Sequence, residues 1–328
     1  MSTRFDQTLA ALQQAVADPS APSARARITK ALSGTNGMLV AVATAAVVSS
    51  DEDDPRIDRA LLERLAPAFE RLLVNPVKRD PQCRGKVAIA KALRRAEVCP
   101  EEVFVVGVRH VQLEPVWGGR VDTAAELRGV CGMALIEEHH PRAVVEVAHL
   151  LADPELAART AAARALGSSG RADVVEPLLR LRIETGEAEA DVLGECFGAL
   201  LQVAPRESLS YVVNFLASRD DAVAESAALA LGSSRLDGAL PPLRAQAERS
   251  VAPERRGVVM LAIAMLRSEE AWSCLLEHVQ HGSRGPASAA LRALSTFKHD
   301  PKLHARVSEA VARRSDEALE SDFEEIFA

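Results

Sequence analysis

Apolar residues recur along this chain at helical spacing, in short runs separated by polar turns. Residues 150–181, LLADPELAARTAAARALGSSGRADVVEPLLRL, show the pattern most clearly. A first helix is predicted to begin at Asp153-Pro154, an aspartate cap followed by a proline at the first helical position, and to stop at Gly167. A second helix follows after a short turn. The apolar stripes of the two helices consist of Ala158, Ala162, Ala165 and Leu166, and of Val174, Val175, Leu178 and Leu179.

Weaker copies of this helical pair occur along most of the chain. Each copy ends its first helix in a leucine, and these anchors are Leu32, Leu93, Leu135, Leu166, Leu200, Leu231, Leu266 and Leu294. Most neighbouring anchors are 28 to 35 residues apart, which is the period of a stacked helical hairpin. We therefore predict an all-α protein, a single α-solenoid of about eight to nine hairpins over residues 1–314, with a separate tail at 315–328.

The repeats resemble HEAT-type repeats, and most closely the short bacterial kind found in phycobilisome lyases. Three features carry the resemblance over residues 20–300: an Asp-Pro start, a basic residue in the middle of the helix, and an Ala-Leu-Gly close. They are found at Asp80-Pro81 and Asp153-Pro154, at Lys86, Arg128 and Arg159, and at Ala165-Leu166-Gly167 and Ala230-Leu231-Gly232. The resemblance implies a protein-binding scaffold.

The three bases each follow an aspartate by six residues, in the pairs Asp80/Lys86, Asp122/Arg128 and Asp153/Arg159. A spacing of six does not bring two side chains together on one helix. We therefore expect each base to contact the capping aspartate of the next repeat, with a contact to a ligand as the alternative. Later repeats hold apolar residues in this slot, namely Leu193, Ala224, Val259 and Ala287.

An insert at about residues 109–121 lengthens the interval between Leu93 and Leu135 to 42 residues. Its proline and paired glycines exclude a helix, so an irregular loop is predicted. Trp117 lies near its centre, between Glu114 and Arg120. Trp117 either fills a groove between repeats or belongs to a recognition loop. Binding residues are predicted at Glu114, Trp117, Arg120, Arg128 and Arg159.

The tail is acidic and amphipathic. Its apolar residues, Leu319, Phe323, Ile326 and Phe327, recur at helical spacing, so they either cap the open end of the solenoid or dock on a partner. The tail also carries most of the net charge of −7, which leaves the body nearly neutral. A nearly neutral body does not favour nucleic-acid binding.

Metal and cofactor chemistry has little support in the sequence. The five cysteines form no CxxC pair and are expected to be reduced, and Cys131 and Cys196 fall at core positions. HEAT-like di-iron hydroxylases use His-Glu dipeptides, whereas here only the reverse order occurs, at Glu138-His139 and Glu277-His278. No metal and no cofactor are predicted.

The predicted function is a non-catalytic scaffold that binds another protein through a concave helix face and the insert. One alternative is a chromophore-lyase-like or chaperone role, suggested by the repeat type. Another is a HEAT-like enzyme that acts on DNA lesions. The longest apolar run, Met38–Val48, is too short to span a bilayer. A cytoplasmic monomer or weak oligomer is expected.

Overall fold

The computed structural model describes residues 4–48, 56–250 and 252–327. The chain divides into two compact units, Met1–Ser169 and Gly170–Ala328. The first unit contains α1 to α11 and the hairpin β1–β2. Its elements are α1 Arg4–Ala17, α2 Pro22–Leu32, α3 Gly37–Thr44, α4 Arg59–Leu62, α5 Leu65–Leu73, α6 Pro76–Arg79, α7 Arg84–Arg95, α8 Glu101–Gly107, β1 Leu113–Val116, β2 Gly119–Asp122, α9 Ala125–Glu137, α10 Ala143–Leu150 and α11 Leu156–Gly167.

The second unit is helical throughout the residues that are described. Its elements are α12 Ala172–Glu184, α13 Ala190–Val203, α14 Pro205–Asn214, α15 Asp221–Ser234, α16 Leu240–Arg249, α17 Pro253–Met265, α18 Glu269–His281, α19 Arg284–Ser295, α20 Pro301–Arg314 and α21 Glu317–Phe327. Short 3₁₀ turns lie at Pro81–Cys83, Phe215–Ala217 and Asp237–Ala239.

Helices that occupy the same position in successive repeats pack against one another within each unit. In the first unit α3 packs on α7, α7 on α9 and α9 on α11, and in the second the row is α13, α15, α17 and α19. All eight anchor leucines are buried. The predicted all-α fold of stacked helical hairpins is therefore confirmed within each unit. The single solenoid over 1–314 stays a prediction.

The Ala-Leu-Gly close has a packing role at Gly232 of α15. A methyl group added there would overlap the backbone of Ala262 on α17, with the Ala262 Cα only 2.8 Å away. Glycine therefore allows these two helices to approach closely. The basic slot of the first unit is apolar in the second, where Leu193, Ala224, Val259 and Ala287 are all buried.

The predicted start of α11 is wrong by about two residues. The helix begins at Leu156, and its N-cap is Glu155 rather than Asp153. The Asp153 carboxylate instead accepts the backbone N–H of Glu155 at 2.9 Å. This bond to the residue two positions on forms an Asx turn before the helix, and the same carboxylate also accepts hydrogen bonds from Arg128 of the preceding repeat.

The tail forms α21 and packs on α19 and α20. Leu319 is fully buried and Phe327 is 8% exposed, while Phe323 and Ile326 are half-buried. The Phe323 and Phe327 rings stack at 4.8 Å, and His304 of α20 contacts both. In the structure the apolar side of the tail lies against the second unit, as the interpretation of the tail as a cap expects.

A candidate binding hairpin on a buried ionic base

The insert is a regular β-hairpin and not the irregular loop that was predicted. β1 pairs with β2 in antiparallel register, from Leu113 opposite Asp122 to Val116 opposite Gly119. Trp117 and Gly118 form the two-residue turn. Gly118 has a φ of 86°, the conformation that a type II turn requires at its third position and that glycine adopts without strain.

Trp117 projects into solvent from the tip of this hairpin. Its relative exposure is 102%, so the alternative in which it fills a groove between repeats is wrong. Arg120 is exposed on β2. Apolar side chains around the turn are also half exposed or nearly so, namely Leu113 at 48%, Val116 at 49% and Val121 at 47%. The hairpin thus exposes Trp117 at its tip, Val116 and Val121 on one face and Leu113 on the other.

Glu114 lies opposite Val121 in the ladder, and its side chain is hydrogen-bonded into the base of the hairpin. Its carboxylate accepts hydrogen bonds from Gln112 Nε2 at 2.7 Å, Thr123 Oγ1 at 2.8 Å and the backbone N–H of Gln82 at 2.5 Å. Burial alone would raise the pKa of Glu114, but these donors outweigh it and lower the pKa below its ordinary value. Glu114 therefore holds the hairpin, with all three of these bonds on its Oε1.

A fully buried ion pair lies beneath this contact. Lys86 Nζ is 2.8 Å from Asp80 Oδ2, and both side chains have zero exposure. The Asp80 carboxylate also accepts the backbone N–H groups of Gly85 and Lys86, at 2.7 and 3.0 Å. Gln112 Nε2 donates to the backbone carbonyl of Asp80 at 2.8 Å. The hairpin is therefore tied directly to the start of α7.

The turn before α7 explains why Lys86 meets its own aspartate. Gln82 and Cys83 have φ values of 61° and 57°, a left-handed region that few residues other than glycine adopt. These two residues reverse the chain within Pro81–Cys83, so Asp80 returns to the first turn of the helix. The expected contact between Lys86 and the next repeat is wrong for that reason.

Arg128 contacts the aspartate of the next repeat, as expected, and it also contacts a second aspartate. Its Nε and Nη2 donate to the two oxygens of Asp153, at 2.7 and 2.8 Å. Its Nη1 donates to Asp122 Oδ2 at 2.7 Å and to the His110 carbonyl at 2.9 Å. The guanidinium thus joins the end of β2 to the repeat that contains α11.

Burial determines what Arg128 can do. The side chain is only 2% exposed, so in this structure it is not available to a partner. Burial tends to lower the pKa of Arg128, but the bonds to Asp153 and Asp122 raise it overall. Burial likewise tends to raise the pKa of Asp122, and the N–H groups of Gln112 and Ala124 together with Arg128 lower it. Both groups therefore stay charged.

Further contacts brace the two sides of this base. Arg109, at the start of the insert, donates from Nε to Glu146 at 2.6 Å, and Arg142 donates to the same carboxylate at 3.0 Å. Arg159 is half-buried and donates to the carbonyls of Asp153 and Pro154, each at 3.0 Å. Of the predicted binding residues, Trp117 and Arg120 lie together at the surface, whereas Glu114 and Arg128 lie in the base.

The cysteine thiols and the potential metal ligands are further groups of the chain that could carry chemistry. Burial raises the pKa of Cys83 to about 12 and that of Cys196 to about 12, so both thiols are protonated at neutral pH. Among the residues that the structure describes, no group of three His, Cys, Asp or Glu side chains is placed to hold a metal ion. Within the same residues, no helix is long and apolar enough to cross a membrane.

Comparisons with known proteins give only distant matches. No family model matches the chain, and no curated protein matches it by sequence. Among solved structures, the CpcE–CpcF complex of phycocyanin lyase from Nostoc sp. PCC7120 is similar at 15% identity and a TM-score of 0.42, over 81% of this chain and 97% of that one.

Two further solved structures are similar over most of this chain. Human deoxyhypusine hydroxylase in complex with glycerol matches at 16% identity and a TM-score of 0.28, over 90% of this chain and 97% of that one. The Pds5–Scc1 complex matches at 11% identity and a TM-score of 0.31, over 95% of this chain and 68% of that one. None of these scores identifies an activity for this chain.

Proposed function

We propose that this protein is a non-catalytic scaffold that binds another protein through the β1–β2 hairpin, with Trp117 as the main contact. The observation that carries the proposal is the complete exposure of Trp117 on an ordered hairpin. Tryptophan is among the residues most enriched where binding energy is concentrated in protein interfaces. A fully exposed tryptophan beside several exposed apolar side chains is typical of an interaction site.

The buried base supports the proposal because it fixes the hairpin before any partner arrives. Glu114 and Gln112 tie β1 to the turn before α7, and Arg128 ties the end of β2 to Asp153. Binding then requires little ordering of the backbone, so less of the interaction energy is lost to conformational entropy.

The test is quantitative capture of proteins from a native lysate by the tagged full chain, its Trp117→Ala variant and a matched Leu181→Ala control. Leu181 lies on α12 and is 59% exposed, so the control also removes an exposed apolar side chain. We expect at least one captured protein to fall by about tenfold or more with Trp117→Ala, to remain with Leu181→Ala, and all three chains to melt alike. Equal capture by Trp117→Ala and wild type would contradict the proposal.

A further inference from the structure

The β1–β2 hairpin has two strand edges without a neighbouring strand in the part of the chain described here, since its sheet contains only β1 and β2. An unpaired strand edge exposes backbone donors and acceptors that another extended segment can complete. The two edges of this hairpin differ in the backbone N–H and carbonyl groups that face outward, and this difference follows from the register of the strands.

The hydrogen-bonded pairs of the ladder can be assigned from one bond. The N–H of Thr123 donates to the Gln112 carbonyl at 3.0 Å, so that pair is hydrogen-bonded, and hydrogen-bonded and non-hydrogen-bonded pairs alternate in an antiparallel ladder. The pairs of Glu114 with Val121 and of Val116 with Gly119 are therefore bonded. The intervening pair, Pro115 opposite Arg120, directs its backbone groups away from the hairpin.

Proline makes the outer edge of β1 a poor template. Pro115 has no backbone N–H to offer at the position where β1 faces outward, and proline on an edge strand prevents the addition of another strand. The outer edge of β2 has both kinds of backbone group at the position opposite Pro115, because Arg120 offers an N–H and a carbonyl. Strand addition is therefore expected at β2 and not at β1.

The face of β2 at Gly119 is open. A Cβ added to Gly119 would meet no atom within 4 Å, so a bulky side chain of an added strand has room over this glycine. Val121 lies on the same face of the hairpin two residues further along and is 47% exposed. Arg120 is on the opposite face, and its side chain is exposed and forms no ion pair with any residue in the described ranges.

We infer that the free edge of β2, Gly119–Asp122, binds an extended segment of the partner protein by strand addition, and that this segment alternates apolar and acidic side chains. Apolar residues of the segment lie beside Gly119 and Val121, and an acidic residue lies beside Arg120, where opposite charges on neighbouring strands attract. This inference rests on the proposed function, to which it adds the chemistry and the conformation of the partner.

The test uses peptides selected from a displayed random library on the full chain, with Arg120→Pro and Arg120→Ala as matched variants. Both variants remove the charge, and only proline removes the outward N–H. We expect peptides with an apolar–acidic–apolar core, a loss of affinity below about fivefold with Arg120→Ala, and a further loss of about tenfold or more with Arg120→Pro, since a peptide carbonyl is left unpaired.

A second measurement changes the peptide and leaves the protein intact. Methylation of backbone nitrogens, one residue at a time, should weaken binding at every second position, because only alternate N–H groups of an added strand face β2. Uniform tolerance of methylation, helical peptides, or equal affinity for Arg120→Pro and Arg120→Ala would overturn the inference. If those peptides still lost affinity with Trp117→Ala, the proposed function would stand without it.

Discussion

Arg128 and Asp153 are 25 residues apart and form a two-point ion pair, in which Nε and Nη2 of the guanidinium lie 2.7 and 2.8 Å from the two carboxylate oxygens. The same guanidinium reaches Asp122 at the end of β2. A single buried arginine therefore connects the exposed hairpin to the packing of two successive repeats. This connection fixes the base of the hairpin to the helical core.

Removal of Arg128 should destabilise the first unit strongly. Arg128→Ala leaves Asp122 and Asp153 buried without their shared cation, and breaking a buried pair in this way costs about 3–5 kcal/mol. Chemical denaturation should show this loss as a lower free energy of unfolding. Arg120→Ala, which removes an arginine exposed on the same hairpin, is the control and should be close to wild type. Equal stability of the two variants would contradict the role given to Arg128.

The close approach of α15 and α17 predicts opposite effects for two glycine substitutions. Gly232→Ala forces a methyl group against the Ala262 backbone and should cost about 1–3 kcal/mol by overpacking. Gly198→Ala, within α13, meets no atom within 4 Å and should stabilise the chain by about 0.5–1 kcal/mol, because alanine favours the helix. Thermal unfolding of the two variants would measure both, and a stable Gly232→Ala would refute the packing argument.

The capping helix α21 is expected to matter for folding. Leu319→Ala removes a fully buried side chain that packs within the second unit and should cost about 2–5 kcal/mol. Glu320→Ala on the exposed side of α21 is the control. An unchanged free energy of unfolding for Leu319→Ala would show that α21 does not stay packed on the second unit. The alternative, in which the tail docks on a partner, would then be favoured.

Two histidines should make the chain less stable in mild acid. Burial lowers the pKa of His110 and of His278 below the ordinary value of 6.5, so the unfolded chain takes up these protons at a higher pH than the folded chain does. The contribution of the two neutral histidines to the free energy of unfolding is complete above the ordinary pKa of 6.5. It is lost as the pH falls toward the lowered pKa of the folded chain. Free energies of unfolding between about pH 7.5 and pH 5.5 should therefore decrease, and less so in a His110→Gln, His278→Gln double variant. An unaltered pH dependence in that variant would exclude this cause.

The helical core could be predicted from sequence because its pattern repeats. The anchor leucines, the Ala-Leu-Gly close and the contact of Arg128 with the next repeat follow from period and stacking, and a period can be counted. Lys86 was misassigned because its contact depends on two left-handed residues, Gln82 and Cys83, whose conformation no repeat encodes.

The hairpin was harder to predict for two physical reasons. Each strand has only four residues, too few for alternation to stand out, and Pro115 argues against a strand unless that residue lies at an edge. The placement of the Glu114 side chain depends on hydrogen bonds from Gln112, Thr123 and the backbone of Gln82, which no pattern in the sequence indicates. The six-residue spacing of Asp122 and Arg128 is the signal in the sequence for this base.

The exposure of Trp117 can be followed directly once the second tryptophan is removed. Trp272 Nε1 is buried without a hydrogen-bond partner among the described residues, so Trp272→Phe sacrifices no hydrogen bond and leaves Trp117 as the sole indole. We expect Trp117 to emit at long wavelength and to be readily quenched by acrylamide in the free chain. When a captured partner is added, its emission should shift to the blue and its quenching should fall. Emission that is already blue-shifted and protected in the free chain, or that stays unchanged in the complex, would contradict the proposed role of Trp117.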